Sequence, residues 1–251
     1  MIENKLRIGN FTSSEIYRLL SLSKDGKSFG KPALEYIQEC NYERSLMRSI
    51  DSETSAKPLH WGTLLEGFMF EKQLDTSYQL VSQESVVHPE YSFWVGSPDG
   101  TKHVNGAAKK VTDIKCPFTL KSFCQLASCN TSESLRNSHK DGEKYYWQLV
   151  SNATLLGLDE AELIVYAPYE DELPAIQTHI QELSELGSEV RQYNFIMFSD
   201  GLDLPLQKRN SKFKSPHILS FEIPQTDKDL LTECVIKAGA LLDNNFNPSE
   251  L

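Results

Sequence analysis

No run of about 18 consecutive apolar residues occurs, so the chain carries no candidate transmembrane helix. Met1 to Asn10 is polar and lacks the apolar stretch of a signal peptide, which makes the cytoplasm the expected compartment. Cysteine is sparse and odd in number: Cys40, Cys116, Cys124, Cys129 and Cys234, with no C-x-x-C pair. A disulfide framework and a zinc ribbon are not expected. The spacing of Cys116, Cys124 and Cys129 reads better as small apolar residues in a reduced protein than as a partial metal site. Positive charge is in deficit, with 25 Lys and Arg against 35 Asp and Glu and a net charge of -10. That argues against a protein that coats nucleic acid, but not against an enzyme with a local basic channel. Internal repeats, low-complexity tracts and a Pro-, Gly- or Ser-rich linker are all missing. One domain is therefore expected over residues 1–251.

What is present suits a globular chain: 39% hydrophobic and 24% charged residues, with length enough for a substantial core. Two basic clusters stand out, Lys102, Lys109, Lys110, Lys115 and Lys121, and Lys208, Arg209, Lys212 and Lys214. Either cluster taken alone reads as a solvated loop.

Thr12-Ser13-Ser14-Glu15 reads as a capped helix start. Helices are predicted from Pro32 to Met47 and from Leu59 to Leu74, where Trp61, Leu64, Leu65, Phe68 and Met69 make one apolar stripe. Strands are predicted at Tyr78–His88 and Phe93–Ser97. Val104-Asn105-Gly106 carries a hairpin signal, with Lys109–Cys116 as the returning strand. A short helix at Lys121–Ala127, a longer one at Lys144–Leu156, and a strand at Ala161–Tyr166 follow. Leu173–Val190 reads as an acidic helix and Tyr193–Phe198 as a short strand. A strand at Ile218–Ile223 and a helix at Asp227–Leu242 close the chain. This order predicts an α/β or α+β fold, a central mixed β-sheet flanked by helices.

The chemistry concentrates in three acids and a lysine. Asp99 sits in the turn Ser97-Pro98-Asp99-Gly100, and Asp113 and Lys115 lie two apart in a strand, on one face. The Asn105-Gly106 turn returns the Asp113 end toward Asp99. Carboxylates suit a hard cation such as magnesium, and manganese fits equally well. The Ile114 carbonyl can add a ligand, while Lys115 can orient the attacking water, help deprotonate it, or stabilise the transition state. Pro98-Asp99 followed by Asp113-x-Lys115 is the degenerate nuclease signature PD-(D/E)xK. Glu66 lies off the apolar stripe of its helix and, by itself, reads as a solvated surface residue.

Together, Leu6-Arg7-Ile8-Gly9-x-x-Thr12-x-Ser14-Glu15, Trp61-Gly62-x-x-x-Glu66, Gly96-Ser97-Pro98-Asp99-Gly100, Lys115-Cys116-Pro117-Phe118-Thr119 and Tyr145-x-x-Gln148 resemble the lambda-type phage exonucleases, the YqaJ-like viral recombinase family, in order and spacing. The resemblance implies a restriction-endonuclease-like core and a 5′-to-3′ exonuclease that acts at double-stranded DNA ends. It implies mononucleotide products, a long 3′ overhang, a homotrimeric ring and a single-strand annealing partner, in a phage or prophage context inside a bacterial cell. It further implies that Glu66, Asp99, Asp113 and the Ile114 carbonyl hold Mg2+ or Mn2+, two ions per site. Lys115 becomes the catalytic lysine, Gln148 a polar residue lining the site, and Arg7, Ser14 and Ser97 the holders of the 5′-phosphate.

This chain departs from the family in having Asp113 where Glu is usual and Glu3 where a tryptophan is frequent. The segment at about 170–216 is longer than its counterpart and reads as an insertion. Two other readings remain open at this stage: an endonuclease or other DNA-processing nuclease of the same fold, and a non-catalytic DNA-end-binding protein.

Overall fold

The structure, a computed structural model, describes residues 5–24, 26–50, 56–81 and 85–243. Glu3 lies outside them. Eight helices and eight strands are found among the described residues, besides short 3-10 turns. The helices are α1 (Lys31–Leu46), α2 (Lys57–Lys72), α3 (Leu120–Ala127), α4 (Ser132–Ser138), α5 (Gly142–Leu156), α6 (Leu173–Glu185), α7 (Asn194–Met197) and α8 (Gln225–Gly239). The strands are β1 (Phe11–Thr12), β2 (Tyr78–Leu80), β3 (Val86–Val87), β4 (Trp94–Gly96), β5 (Gly100–Val104), β6 (Ala107–Lys115), β7 (Glu160–Val165) and β8 (His217–Glu222).

The main sheet has the order β2-β5-β6-β7-β8. Only the β6–β7 pair is parallel; its neighbours are antiparallel, so the sheet is mixed. A parallel pair needs a long crossover, and α3, α4 and α5 supply it. The β5–β6 hairpin turns on Asn105 (φ 53°) and Gly106 (φ 82°), the left-handed pair that a two-residue hairpin requires. A second, three-stranded sheet of order β1-β4-β3 lies beside the first.

Alternation along β6 divides the core. Val111 faces the larger apolar cluster, which holds Leu149, Val150 and Ala153 of α5 and Leu231 and Val235 of α8. Ile114 faces the other cluster, with Trp61, Leu65 and Phe68 of α2 and Ile176 and Ile180 of α6. Helix α5 is buried almost all round, as expected of a central helix. Its fully buried Leu149 and Val150 each contribute roughly 1.5–3 kcal/mol of transfer free energy. The helix ends at Gly157, whose φ of 66° gives a left-handed C-cap.

Several sequence expectations are corrected. Thr12 closes strand β1, paired in parallel with β4, and the helical turn that follows (Ile16–Leu20) starts at Glu15 without a side-chain cap, so Ser14 is not a helix cap. The predicted strand at Tyr78–His88 is two strands, β2 and β3, in different sheets, because β3 joins β4 while β2 extends the main sheet. The arm that pairs with β6 is β5, which runs from beside Asp99 to the Asn105-Gly106 turn. Tyr193–Phe198 is helical: its apolar residues Tyr193 and Ile196 meet the α2–α6 cluster at helical spacing. The segment 170–216 folds as α6, α7 and connecting turns against α2, and Tyr169 bridges to Gln207 at its base.

Candidate active site

Four elements converge where the hairpin meets α5. Asp113 and Lys115 leave the same face of β6 near its C-terminal end. Asp99 sits in the turn before β5, and the pairing of Gly100 with Thr112 sets it beside them. Its Oδ2 accepts the Ile114 N–H at 2.6 Å, so the turn is clamped directly to the strand. Helix α5 adds Gln148, whose Nε2 donates to Asp113 Oδ1 at 2.9 Å. Helix α2 contributes Glu66, half-buried and close enough for its charge to be felt by Asp99 and Lys115.

The electrostatics are those of too many acids in too dry a place. Burial pushes the Glu66 carboxyl up; Lys115 opposes this and Asp113 reinforces it. Asp99 is raised well above the usual carboxylate range, first by burial, then by Asp113 and Glu66, against the pull of Lys115 and the Ile114 N–H. Burial works against the Lys115 charge, yet Asp113, Asp99 and Glu66 outweigh it and move its pKa upward. The lysine is therefore a fixed cation among these carboxylates. Its Nζ lies 2.5 Å from Asp113 Oδ2 and 5.3 Å from the centre of the Tyr145 ring.

Asp113 is fully buried, and its Oδ2 has the lysine within ion-pair distance but no hydrogen bond in good geometry. A buried carboxylate oxygen left so, among three carboxylates and one ammonium, fits a hard divalent cation by charge and donor chemistry. Among the described residues, no three His, Cys, Asp or Glu side chains converge closely enough to form a finished cage.

The predicted phosphate residues also come together. Arg7 is exposed in a 3-10 turn (Lys5–Arg7) and its Nη2 donates to Ser14 Oγ at 3.3 Å. Ser14 Oγ is 3.3 Å from Thr12 Oγ1. Ser97 Oγ pairs with Ser85 Oγ at 2.8 Å. Arg7, Ser14, Ser97 and Gln148 line one small pocket of about 50 Å³. Gln148 is thus shared: it touches Asp113 and borders the pocket.

Every sequence-predicted site residue lies in this region, and Glu66 is half-buried there rather than solvated. Sequence reasoning missed a support behind Lys115. The buried His139 ring stacks on Tyr145 at 5.8 Å, and its Nε2 is 2.7 Å from Ser122 Oγ. Ser85 was missed as well; a lone serine gives no periodic signal. The five cysteines are free, as expected, and among the described residues no helix is long and apolar enough to cross a membrane.

Two solved structures share the fold. LHK-Exo, an alkaline exonuclease from Laribacter hongkongensis solved in complex with dAMP, superposes with a TM-score of 0.54 at 14% identity, over 95% of this chain and 88% of that one. A phage-related exonuclease from Haemophilus somnus 129PT gives 0.56 at 13% identity, covering 92% of each chain. No curated protein matches. The sheet and its helices thus form a restriction-endonuclease-like core. The model of the YqaJ-like viral recombinase domain matches residues 4–158, more than half of the chain, which belongs to that family.

Proposed function

We propose that this protein is a metal-dependent 5′-to-3′ exonuclease that digests one strand of linear duplex DNA. The observation that carries the reading is Gln148, which joins a buried acid–lysine centre to a pocket lined by Arg7 and serines, Ser14 and Ser97 among them. Family membership and fold support a nuclease; the pocket supports action at a phosphorylated end. Glu66, Asp99, Asp113 and the Ile114 carbonyl would hold Mg2+ or Mn2+, two ions per site. Bound there, the metal would lower the pKa of a water and neutralise charge on the phosphate.

The residues divide the work. Asp113, fixed by Gln148 and Lys115, keeps one orientation. Lys115 holds a positive charge at the reacting phosphate and orients the attacking water. Arg7, Ser14 and Ser97 receive the 5′-phosphate, with the guanidinium fork and hydroxyls as donors. Water adds to phosphorus and the P–O3′ bond breaks. The released mononucleotide keeps its 5′-phosphate and gains a 3′-hydroxyl, and the remaining strand begins with a new 5′-phosphate. That phosphate is the group the pocket binds, so each cut prepares the next, and a 3′ overhang grows.

By resemblance, the reading extends to a homotrimeric ring, a single-strand annealing partner and a phage or prophage role in the bacterial cytoplasm. It also takes residues 1–251 as one nuclease domain with an insertion at 170–216.

Digestion of linear duplex labelled at the 5′ or the 3′ end, with magnesium or with EDTA, tests the reaction. Magnesium-dependent release of 5′-terminal mononucleotides, the complementary strand remaining intact, is expected. Arg7→Ala should slow 5′-phosphorylated ends about tenfold or more and leave 5′-hydroxyl ends little changed. Internal cuts or digestion of closed circles would refute the exonuclease reading.

A further inference from the structure

The phosphate pocket borders a larger cleft of about 500 Å³, with which it shares part of its wall. Arg7, Thr12 and Ser14 line both spaces, Gln148 and Ser97 line only the small one, and Arg18, Tyr36, Glu39 and Glu43 line only the large one. Arg7 and Ser14 therefore stand between the two spaces. The reacting centre lies on one side of these residues and a cavity of small-ligand size on the other.

The cleft walls are held by their own contacts. Arg18 grips Glu39 with two hydrogen bonds, at 2.5 and 2.9 Å, and lies 4.8 Å above the Tyr36 ring. Tyr36 Oη accepts the Thr12 N–H at 2.8 Å. Glu43 accepts the Gly9 N–H at 2.8 Å and the Ile50 N–H at 3.1 Å. A cavity preformed in this way spends little on ordering when it takes a ligand.

Its chemistry selects the ligand. Glu15, Glu39 and Glu43 are poor company for a second phosphate. Glu15 is paired with Lys144 at 2.6 Å and Glu39 with Arg18, while Glu43 is held by the Gly9 and Ile50 N–H groups, so the three line the cleft with acceptor oxygens. Ile8, Cys40 and Ile50 add apolar surface, and Ser14 and Ser49 add hydroxyls. A neutral group with N–H and O–H donors and a flat apolar face suits such a space: a nucleoside.

We propose that this cleft is a subsite for one unpaired nucleoside attached on the 5′ side of the phosphate at Arg7. The inference rests on the exonuclease reading above. A duplex end with a one-nucleotide 5′ extension then seats its first internal phosphodiester, rather than a terminal phosphate, in the Arg7 pocket. Hydrolysis falls at the next P–O3′ bond and releases a dinucleotide with a 3′-hydroxyl. Later cuts release mononucleotides.

The test uses the full chain with magnesium and two duplexes. One is blunt with a 5′-phosphate. The other carries a one-nucleotide 5′-hydroxyl extension, with radioactive phosphorus in the phosphodiester that joins the extension to the first paired nucleotide. The first labelled product from the extended end should be a dinucleotide. Ile50→Trp, which fills the cleft from its half-exposed rim, should reduce that release at least tenfold and change blunt-end digestion less than twofold. If Ile50→Trp lowers the thermal midpoint, Ser49→Phe serves in its place. A labelled mononucleotide as first product, no digestion of the extended end beside normal digestion of the blunt one, or equal slowing of both ends by the filled cleft would overturn the subsite. Failure of the wild-type protein on the blunt end would instead overturn the exonuclease reading itself.

Discussion

Lys115 brings an ammonium to a place where burial alone would strip its charge, and three carboxylates keep it charged. Lys115→Ala removes the cation paired with Asp113 and should cost about 10²–10³ in turnover, as loss of a preorganised electrostatic donor does. DNA-end binding measured with EDTA should survive. Wild-type turnover by this variant would remove Lys115 from the mechanism. Asp99 gives a prediction of opposite sign for stability. Its folded pKa stands above the unfolded value of about 4. Within that window the native state binds more protons than the unfolded one. Wild-type stability therefore falls as pH rises through it, and the loss persists above. Asp99→Asn keeps an oxygen for the Ile114 N–H but carries no charge. In EDTA it should melt higher than wild type, with a gap wider at pH 8 than at pH 5, while cleavage is lost. A lower melting temperature at pH 8 would contradict this account of the site.

At the scale of elements, the helix α2 that carries Glu66 is registered against the hairpin by Gly100. A Cβ there would stand 2.7 Å from the Phe70 ring and 2.9 Å from the Gln79 carbonyl oxygen. The ring can shift, but the β2 backbone cannot without breaking its pairing with β5. Gly100→Ala should lower the unfolding free energy by about 1–3 kcal/mol, the usual cost of overpacking. It should reduce turnover further by moving Asp99 and Glu66 relative to Asp113. Urea unfolding checks the first effect and digestion of blunt duplex the second; an unchanged midpoint would show that the approach is not tight. The same elements explain what could be read from the sequence. Asp99, Asp113 and Lys115 were legible because strand alternation and an Asn-Gly turn are local rules. Glu66 was not legible, because a helix with one apolar stripe gives no sign that its other side faces a buried site. The joining of β1 to β4 was not legible either, since the two-residue β1 pairs with a strand more than 80 residues away and shows no period. Arg7 and Ser14 entered only through motif resemblance, since their meeting depends on that pairing.

The whole molecule carries a net charge of -10, and the distribution of charge decides where DNA can lie. Three lysines of the basic cluster near the hairpin are not available. Lys109 pairs with Glu160 at 3.0 Å, and Lys102 and Lys110 pair with the buried Glu162 at 3.3 and 3.4 Å. In the second cluster Arg209 is bound to Asp171 at 2.8 Å and lies over the Tyr169 ring. Lys208, Lys212 and Lys214 are exposed and make no ion pair among the described residues. Their segment crosses the C-terminal end of β7: Ser215 Oγ accepts the Ala167 N–H at 3.0 Å, and Phe213 meets Phe123 of α3 edge-on. The parallel partner β6 ends on the same side with Lys115, paired with Val165. Duplex entering the reacting centre would therefore pass near these three lysines. If each neutralises one phosphate, replacing all three by alanine should flatten the dependence of log binding constant on log salt by about 2–3, at about 0.9 per phosphate contact. Replacing Lys102, Lys109 and Lys110 should leave that slope unchanged, though it should destabilise the fold by stranding Glu162. Fluorescence anisotropy of a 5′-phosphorylated duplex across a salt series, in calcium or EDTA to prevent cleavage, separates the two sets. Equal slopes for wild type and the Lys208, Lys212 and Lys214 variant would take the segment 208–214 away from the DNA path.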